Sequence, residues 1–500
     1  MVGRAANRAA APPSGHTANR KHENDMHHER INRRQALQQC GVGMGMLGLT
    51  SVLAQEGALA ADSRALHPMA VQPPHFAPKA KHVIHIFLNG GLSQVDTFDH
   101  KPLLAKYHKK TIPGVSDERE GVAGPGLASP FKFKQYGDNG LYISDMFRRT
   151  GEMIDEVCVI NSMHTDSPEH RMARTLMHCG STTQETTPSM GSWITYGLGS
   201  ENQNLPGYVV LCPCDGEQPE FGSVGWRSGF LPPIYQGTYI DTIETDNVKR
   251  LISNVNNPML SRKEQQRQFK LLQQLNKRHL EQRRGDAELE ARIASYEMAF
   301  RMQTEATDAF DISQEPKNIR EMYGTHKPAQ QLLLARRLIE RGVRFVQAWT
   351  YPGQPFDNHE ELEHSLASVA SQVDQGFSAL VKDLKRLGLF DETLIVMCGE
   401  FGRLPTSQLL EKGRIAKGRN HNPHAFNVIL AGGGVKAGVV HGKTDDFSYQ
   451  AVEDRVHVHD LQATILHLMG LDHKRLTYRH AGRDFRLTDI HGKVVEEILA

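Results

Sequence analysis

The sequence predicts an α/β domain built on a parallel sheet with helices covering both faces. Three observations predict it. Short apolar runs of strand length alternate with longer segments of apolar 3.6-residue periodicity. Polar clusters follow directly on three of those runs, where open α/β sheets bind ligands beyond the carboxyl ends of their strands. One long charged segment, 258–304, interrupts the alternation and reads as a helical insertion.

The elements can be justified in order. Residues 1–60 read as an export region. Asn32-Arg33-Arg34-Gln35-Ala36-Leu37 is a twin-arginine pattern, Cys40 to Ala54 is apolar and glycine-rich, and Ala58-Leu59-Ala60 fits a small-residue cleavage site. The alternative is a basic N-terminus with a chance arginine pair. Met26, just ahead of the pair, is a second candidate start. The apolar stretch is too short to span a bilayer and no later stretch is longer and as apolar, so the mature chain is expected to have no transmembrane segment. Residues 61–80 hold Pro68, Pro73, Pro74 and Pro78 with little periodicity and read as an extended linker. The domain proper is expected over 81–500, long enough for a large core.

Within it, strands are expected at about 81–88, 157–161, 208–211, 343–349, 394–397 and 427–430. Helices are expected at about 167–179, 330–341 and 366–387. Such alternation implies crossover connections and a parallel sheet. The insertion carries a Gly285-Asp286 break, which predicts a two-helix hairpin. It reads either as a solvated insertion or as a lid or partner surface.

Composition excludes some classes. Lys and Arg number 58 against 57 Asp and Glu, a net charge of +1, so the overall balance gives no argument for nucleic acid or an anionic surface. Once Cys40 leaves with the signal, Cys158, Cys179, Cys212, Cys214 and Cys398 remain, too few and too scattered for a disulfide framework. Cys212-Pro213-Cys214 reads as a turn rather than a metal clip.

The polar clusters carry the chemistry. Asn89-Gly90-Gly91-Leu92-Ser93 follows the first strand, Asp357-Asn358-His359 a later one, and Glu400-Phe401-Gly402-Arg403 another; Gly418-Arg419-Asn420-His421 lies further on. Carboxylates and imidazoles delivered to one sheet edge by separate strands are what a hydrolytic metal site requires. Asp357 and His359, two apart in a loop, can reach one ion. Asp96 and Asp99 can each supply a charged ligand, or equally a salt link or helix cap.

The segments 87–102, 399–403 and 418–423, together with Thr187-Pro188-Ser189-Met190-Gly191-Ser192-Trp193 and Ala431-Gly432-Gly433-Gly434-Val435, resemble the secreted, sulfatase-like family called domain of unknown function 1501, within the alkaline phosphatase superfamily. The resemblance implies that superfamily's parallel-sheet core and a divalent metal ion: zinc, manganese or calcium. It implies Asn89, Asp357, His359, Glu400 and His421 as metal ligands, with Asn89 where relatives place an acid. His170 falls at the nucleophile position of a helix start, and Arg174 and Gly180 at the family's Arg and Gly positions. His170, Arg174 and Arg403 are therefore the implied catalytic residues, His170 as nucleophile or acid/base and Arg403 for a substrate anion or Glu400. Ser93, His164 and His424 are implied substrate contacts. No Cys-x-Pro-x-Arg occurs, which argues against a formylglycine sulfatase of the usual kind. Val458 to Gly470 matches structurally: Asp460 caps a helix, and His457, His459 and His467 are not ligands.

Two functions remain open at this stage. One is an exported hydrolase acting on small-molecule or polysaccharide phosphate or sulfate esters. The other is a non-catalytic exported binding or assembly module, favoured by Asn89-Gly90 and by Phe401 at a ligand position. Neither reading involves nucleic acid, and both use the twin-arginine export machinery.

Overall fold

The computed structural model describes residues 69–500 except 119–120, 183–185, 203, 214–221, 244, 246–250, 252–259, 284–288, 290–291, 295, 299 and 302–306. Arg33-Arg34, Met26, the cleavage site, Pro68 and Cys214 lie outside the described residues. The described end of the expected linker is extended, but it is docked along the domain. The amide of Gln72 donates to Leu198 O, that of His75 to Gly470 O, and those of Lys79 and Ala80 to Leu468 O.

A nine-stranded sheet forms the centre. Its strands are β1 (His82–Phe87), β2 (Val157–His164), β3 (Tyr208–Cys212), β4 (Thr238–Asp241), β5 (Phe345–Trp349), β6 (Thr393–Cys398), β7 (Phe426–Ala431), β8 (Val439–His441) and β9 (Val456–His457). The order is β8-β2-β7-β6-β1-β5-β3-β4, with β9 also pairing β2. β1 lies parallel between β5 and β6, in register Ile86–Ala348 and Ile86–Met397.

Alternation along the strands sorts the core into two layers, as the two-residue side-chain period requires. Ile84, Ile86, Val346, Ala348, Ile395 and Met397 face one layer. Helices α4 (Lys327–Glu340) and α5 (Leu362–Leu387) cover that layer, contributing Leu332, Leu338, Phe377 and Leu384. Val83, Phe87, Phe345, Trp349, Val396 and Cys398 face the other. That side is covered by α1 (His170–Cys179), α2 (Met190–Leu198) and α6 (Val458–Leu468), through Leu176, Trp193, Leu461 and Ile465. The expected helix-covered parallel sheet is thus present.

One strand departs from it. β7 is antiparallel to both β2 and β6. The reason is topological. No helix carries the chain back after β6; residues 399–425 stay at the carboxyl edge, in a small hairpin pairing His421 with Arg403. The chain therefore re-enters the sheet from that edge and must run the opposite way.

The insertion begins with α3 (Arg262–Gln282), whose Ser261 and Glu264 form a reciprocal capping box. A second segment packs beside it: the Phe269 and Phe300 rings stack at 3.9 Å, and Gln273 Nε2 donates to Glu297 Oε1 at 3.1 Å.

Candidate metal centre

The site is built where β1, β5 and β6 end side by side. The Asn-Gly-Gly turn after β1 is tight because other chain segments crowd it. Gly90 has φ +112°, and a Cβ there would sit 2.6 Å from Asp357 N; one on Gly91 (φ +81°) would meet the Phe401 ring at 2.6 Å. Only glycine suits such backbone. The turn lets both oxygens of Glu400, itself fully buried beyond β6, accept from the Gly90 amide at 3.0 and 3.1 Å.

His170 is the first residue of α1, whose far end is stopped by Gly180 in the left-handed conformation. Its Nδ1 lies 2.8 Å from Glu400 Oε1. Its Nε2 is buried 3.3 Å from Asp357 Oδ2, outside hydrogen-bonding geometry and with no other hydrogen-bond partner. His421 uses Nδ1 on Pro168 O at 2.6 Å and brings Nε2 to 3.1 Å from Asp357 Oδ1. His359 uses Nδ1 on Gln408 Oε1 and brings Nε2 to 2.7 Å from the same Asp357 oxygen. The Nε2 atoms of His359 and His421 are 3.1 Å apart.

This arrangement has a chemical consequence. Glu400, Pro168 O and Gln408 Oε1 are acceptors, so each Nδ1 carries its proton. A neutral ring then presents a bare Nε2 lone pair, and three such lone pairs converge on a carboxylate. That concentration of electron pairs requires positive charge, supplied either by extra protons or by a cation. The ligand atoms of His170, Asp357 and His421 all lie within 4.8 Å of one another. Histidines that ligate metal also anchor their second nitrogen on an oxygen in this way. The residues present fit a metal ion.

The electrostatics agree. Burial pushes the Asp357 carboxyl up, but His170, His359, His421 and Arg403 outweigh it and hold it well below the usual carboxylate range. Burial pushes His170 down, yet Asp357 and Glu400 hold it above the ordinary histidine value. Burial lowers His421 to about 3, against the pull of Asp357 and with the help of Arg403 and His170.

Several residues serve other partners than expected. Asn89 accepts from Arg174 Nη1 at 3.0 Å and donates to Gly353 O, so both ends of its amide are engaged. Arg174 also donates to His170 O at 3.1 Å, which fixes the start of α1. Arg403 is not directed at Glu400: it is buried, pairs with Asp357 and donates to the carbonyls of Gly90, Gly91, Phe356 and Arg419. It is a clamp that holds three site loops together. Asp96 does not replace the missing acid. It forms a two-pronged pair with Arg419, both side chains fully buried, and accepts from Ser93. Ser93 is thereby committed to the support layer. Asp99 pairs with Lys101 and accepts from Thr444 and Ser448. His164 packs on His457 at 5.0 Å, and His424 pairs with Glu118 at 2.9 Å, so both engage residues outside the Asp357 cluster. In α6 the N-cap is His457, while Asp460 reaches back from the first turn to its amide. Phe401 packs against both the His170 and His421 rings, 4.9 and 4.4 Å from them, while those two rings lie 4.4 Å from each other, and it forms an apolar wall beside the pair.

Two functional partners carried no sequence signal. Gln408 and the Pro168 carbonyl orient His359 and His421, and only the folded loops bring them there. His178 and His85 form a buried pair behind the site, with ring centroids 5.3 Å apart.

Comparison with known proteins gives the following likenesses. The chain is similar to a sulfatase from Pseudoalteromonas sp. at 12% identity, covering 84% of this chain and 70% of that one, with a TM-score of 0.32. It is similar to the lipoteichoic acid synthase LtaP of Listeria monocytogenes at 11% identity, covering 86% and 80%, with a TM-score of 0.34. A protein in the alkaline phosphatase superfamily from Vibrio parahaemolyticus matches at 10% identity over 81% and 70%, with a TM-score of 0.35. No curated protein matches the chain. The family model described as "Protein of unknown function (DUF1501)" matches residues 80–499, nearly the whole described domain, and the chain belongs to that family.

Proposed function

We propose that this protein is a metal-dependent hydrolase of phosphate or sulfate esters, with the metal held by His170, Asp357, His359 and His421. The observation that carries the reading is the common orientation of three imidazoles, each with Nδ1 on an oxygen acceptor and Nε2 turned to one carboxylate. A divalent cation bound there would polarise an ester oxygen and offset the negative charge that develops on it. Three nitrogen donors and one carboxylate favour zinc over manganese, and over calcium, which prefers oxygen.

The chain's own residues have separate roles in this reading. His170 is a ligand rather than the nucleophile, because its inward nitrogen faces Asp357. Glu400 fixes the His170 tautomer, Arg403 fixes the carboxylate, and Phe401 keeps that side of the centre dry, which strengthens the local field. Small-molecule or polysaccharide esters remain the substrate class, with twin-arginine export delivering the folded protein to them. Replacing Arg33 and Arg34 with Lys is expected to leave the precursor in the cytoplasm; normal export of that variant would remove the export reading.

A non-catalytic exported binding or assembly module is the second reading. It is favoured by Asn89 and Asp96, whose polar atoms are spent on other protein groups, and by Phe401, which cannot coordinate. Elemental analysis separates the readings when combined with turnover of nitrophenyl phosphate and nitrophenyl sulfate. Protein purified without added metal is expected to hold near-stoichiometric zinc and to cleave one of the two. Metal without turnover of any ester supports the module. Protein that neither holds zinc nor takes it up removes the metal centre. His170→Ala and Asp357→Ala are both expected to lose the metal; a metal-loaded but inactive His170→Ala would return His170 to an acid/base or nucleophilic role.

A further inference from the structure

The insertion helix α3 carries an apolar patch that is left exposed among the described residues. Leu271, Leu272 and Leu275 are 57%, 43% and 53% exposed. At about 100° per residue, they occupy one arc of about 100° and form one apolar patch at mid-helix, with exposed Glu264 and Gln268 before it and His279 and Gln282 after it on the same arc. Phe269, Gln273, Asn276 and Leu280 lie on roughly the opposite side and are half-buried, and Phe269 and Gln273 contact the second segment of the insertion. The leucines are therefore not the packing seam of the hairpin.

The neighbouring arc is basic. Lys263, Arg267, Lys270, Lys277 and Arg278 fall next to the leucines, and all are exposed. Glu281 is the acidic residue on that side; Glu264 is engaged in the capping box. The chain as a whole carries a net charge of +1, so this stripe is a local concentration that the overall balance conceals.

We infer that α3 is a docking surface for an anionic lipid bilayer, lying in the interface with its leucines inserted and its cations at the headgroups. The argument is that the two faces are adjacent and both exposed. Helices that bind membrane surfaces combine an apolar face with Lys and Arg beside it. A soluble polyanion would use the cations and leave the leucines in water. A second copy packed leucine to leucine would bring two basic stripes to the same seam. Anionic lipid satisfies both faces at once. Among the described residues no helix is long and apolar enough to cross a membrane, so this attachment is peripheral. The inference stands apart from the metal centre and does not depend on it.

Co-sedimentation of the full chain with vesicles tests it, comparing phosphatidylglycerol/phosphatidylcholine vesicles with pure phosphatidylcholine. Two variants are compared with wild type: Leu271→Gln/Leu272→Gln/Leu275→Gln, and Lys263→Gln/Arg267→Gln/Lys270→Gln/Lys277→Gln/Arg278→Gln. Both change exposed side chains only. Wild type is expected to bind the anionic vesicles and not the neutral ones. The leucine variant is expected to bind about 10-fold more weakly or worse. The basic variant is expected to lose about five-fold per cation, or on the order of 1,000-fold in total. No binding to anionic vesicles, or equal binding to neutral ones, would overturn the inference. So would a leucine variant that binds as wild type, since that is the behaviour of a polyanion site. A wild-type dimer that the leucine changes dissolve, without vesicle binding, would assign the face to a second copy.

Discussion

Glu400 holds His170. One of its oxygens accepts from His170 Nδ1 at 2.8 Å, while both take the Gly90 amide, so one buried carboxylate joins the start of α1 to the turn after β1. The ring is thereby locked with Nε2 toward Asp357. Glu400→Leu removes that lock and leaves the ligand atoms in place. Zinc affinity is expected to fall about 10- to 100-fold, the usual cost of losing a partner behind a metal-bound histidine. Glu400→Gln keeps an acceptor oxygen and is expected to fall less. Zinc titration of the metal-free protein measures both; a Glu400→Leu protein with wild-type affinity would place Glu400 outside the metal's support.

Asp96 and Arg419 are expected to matter for folding and not for the metal. The pair is fully buried, with N–O distances of 2.7 and 3.0 Å. Asp96→Ala strands the guanidinium without a counter-charge and is expected to cost about 3–5 kcal/mol. The double change Asp96→Leu/Arg419→Met removes both charges and is expected to recover much of that loss. Denaturant unfolding measures the difference. Metal content should stay at the wild-type level in any variant that folds, and loss of metal from a folded Asp96→Ala protein would make Asp96 part of the centre after all.

The legible part of this site is its placement; the illegible part is the pairing of its side chains. Asn89, Asp357 and Glu400 each follow an apolar run, and strand ends are readable because period-two burial leaves long unbroken apolar stretches in a two-faced sheet. His170 and His421 were readable only through family spacing. The role of Arg403 was not readable, because a guanidinium after a strand looks the same whether it binds substrate or clamps four carbonyls. Asp96 likewise reads equally as a ligand, a salt link or a helix cap, and its partner Arg419 lies more than 300 positions away. The antiparallel β7 escaped for a similar reason: direction depends on where the preceding loop ends, and the residues of β7 itself carry no mark of it. The edge strands β4 and β8 are four and three residues long, too short for a periodicity.

His85 links stability to pH. It lies in the middle of β1, 1% exposed, with Nε2 3.2 Å from Cys398 Sγ and with Phe87, Phe345 and His178 around its ring. Burial without a counter-charge lowers it from the ordinary value of 6.5 to about 4. The sign follows from which state takes up the proton. Between pH 6.5 and 4 the unfolded chain protonates this ring and the folded protein does not, so stability is present above pH 6.5 and is lost as pH falls through that window. The span corresponds to roughly 3 kcal/mol at pH 4. His85→Leu cannot take up the proton in either state. Its unfolding free energy, set against wild type, should therefore improve by about that amount between pH 6.5 and pH 4, whatever offset the lost Cys398 contact imposes at neutral pH. Urea unfolding of both proteins at a series of pH values measures the difference, and a gap that stays constant across the window would mean that His85 is protonated or solvated in the fold.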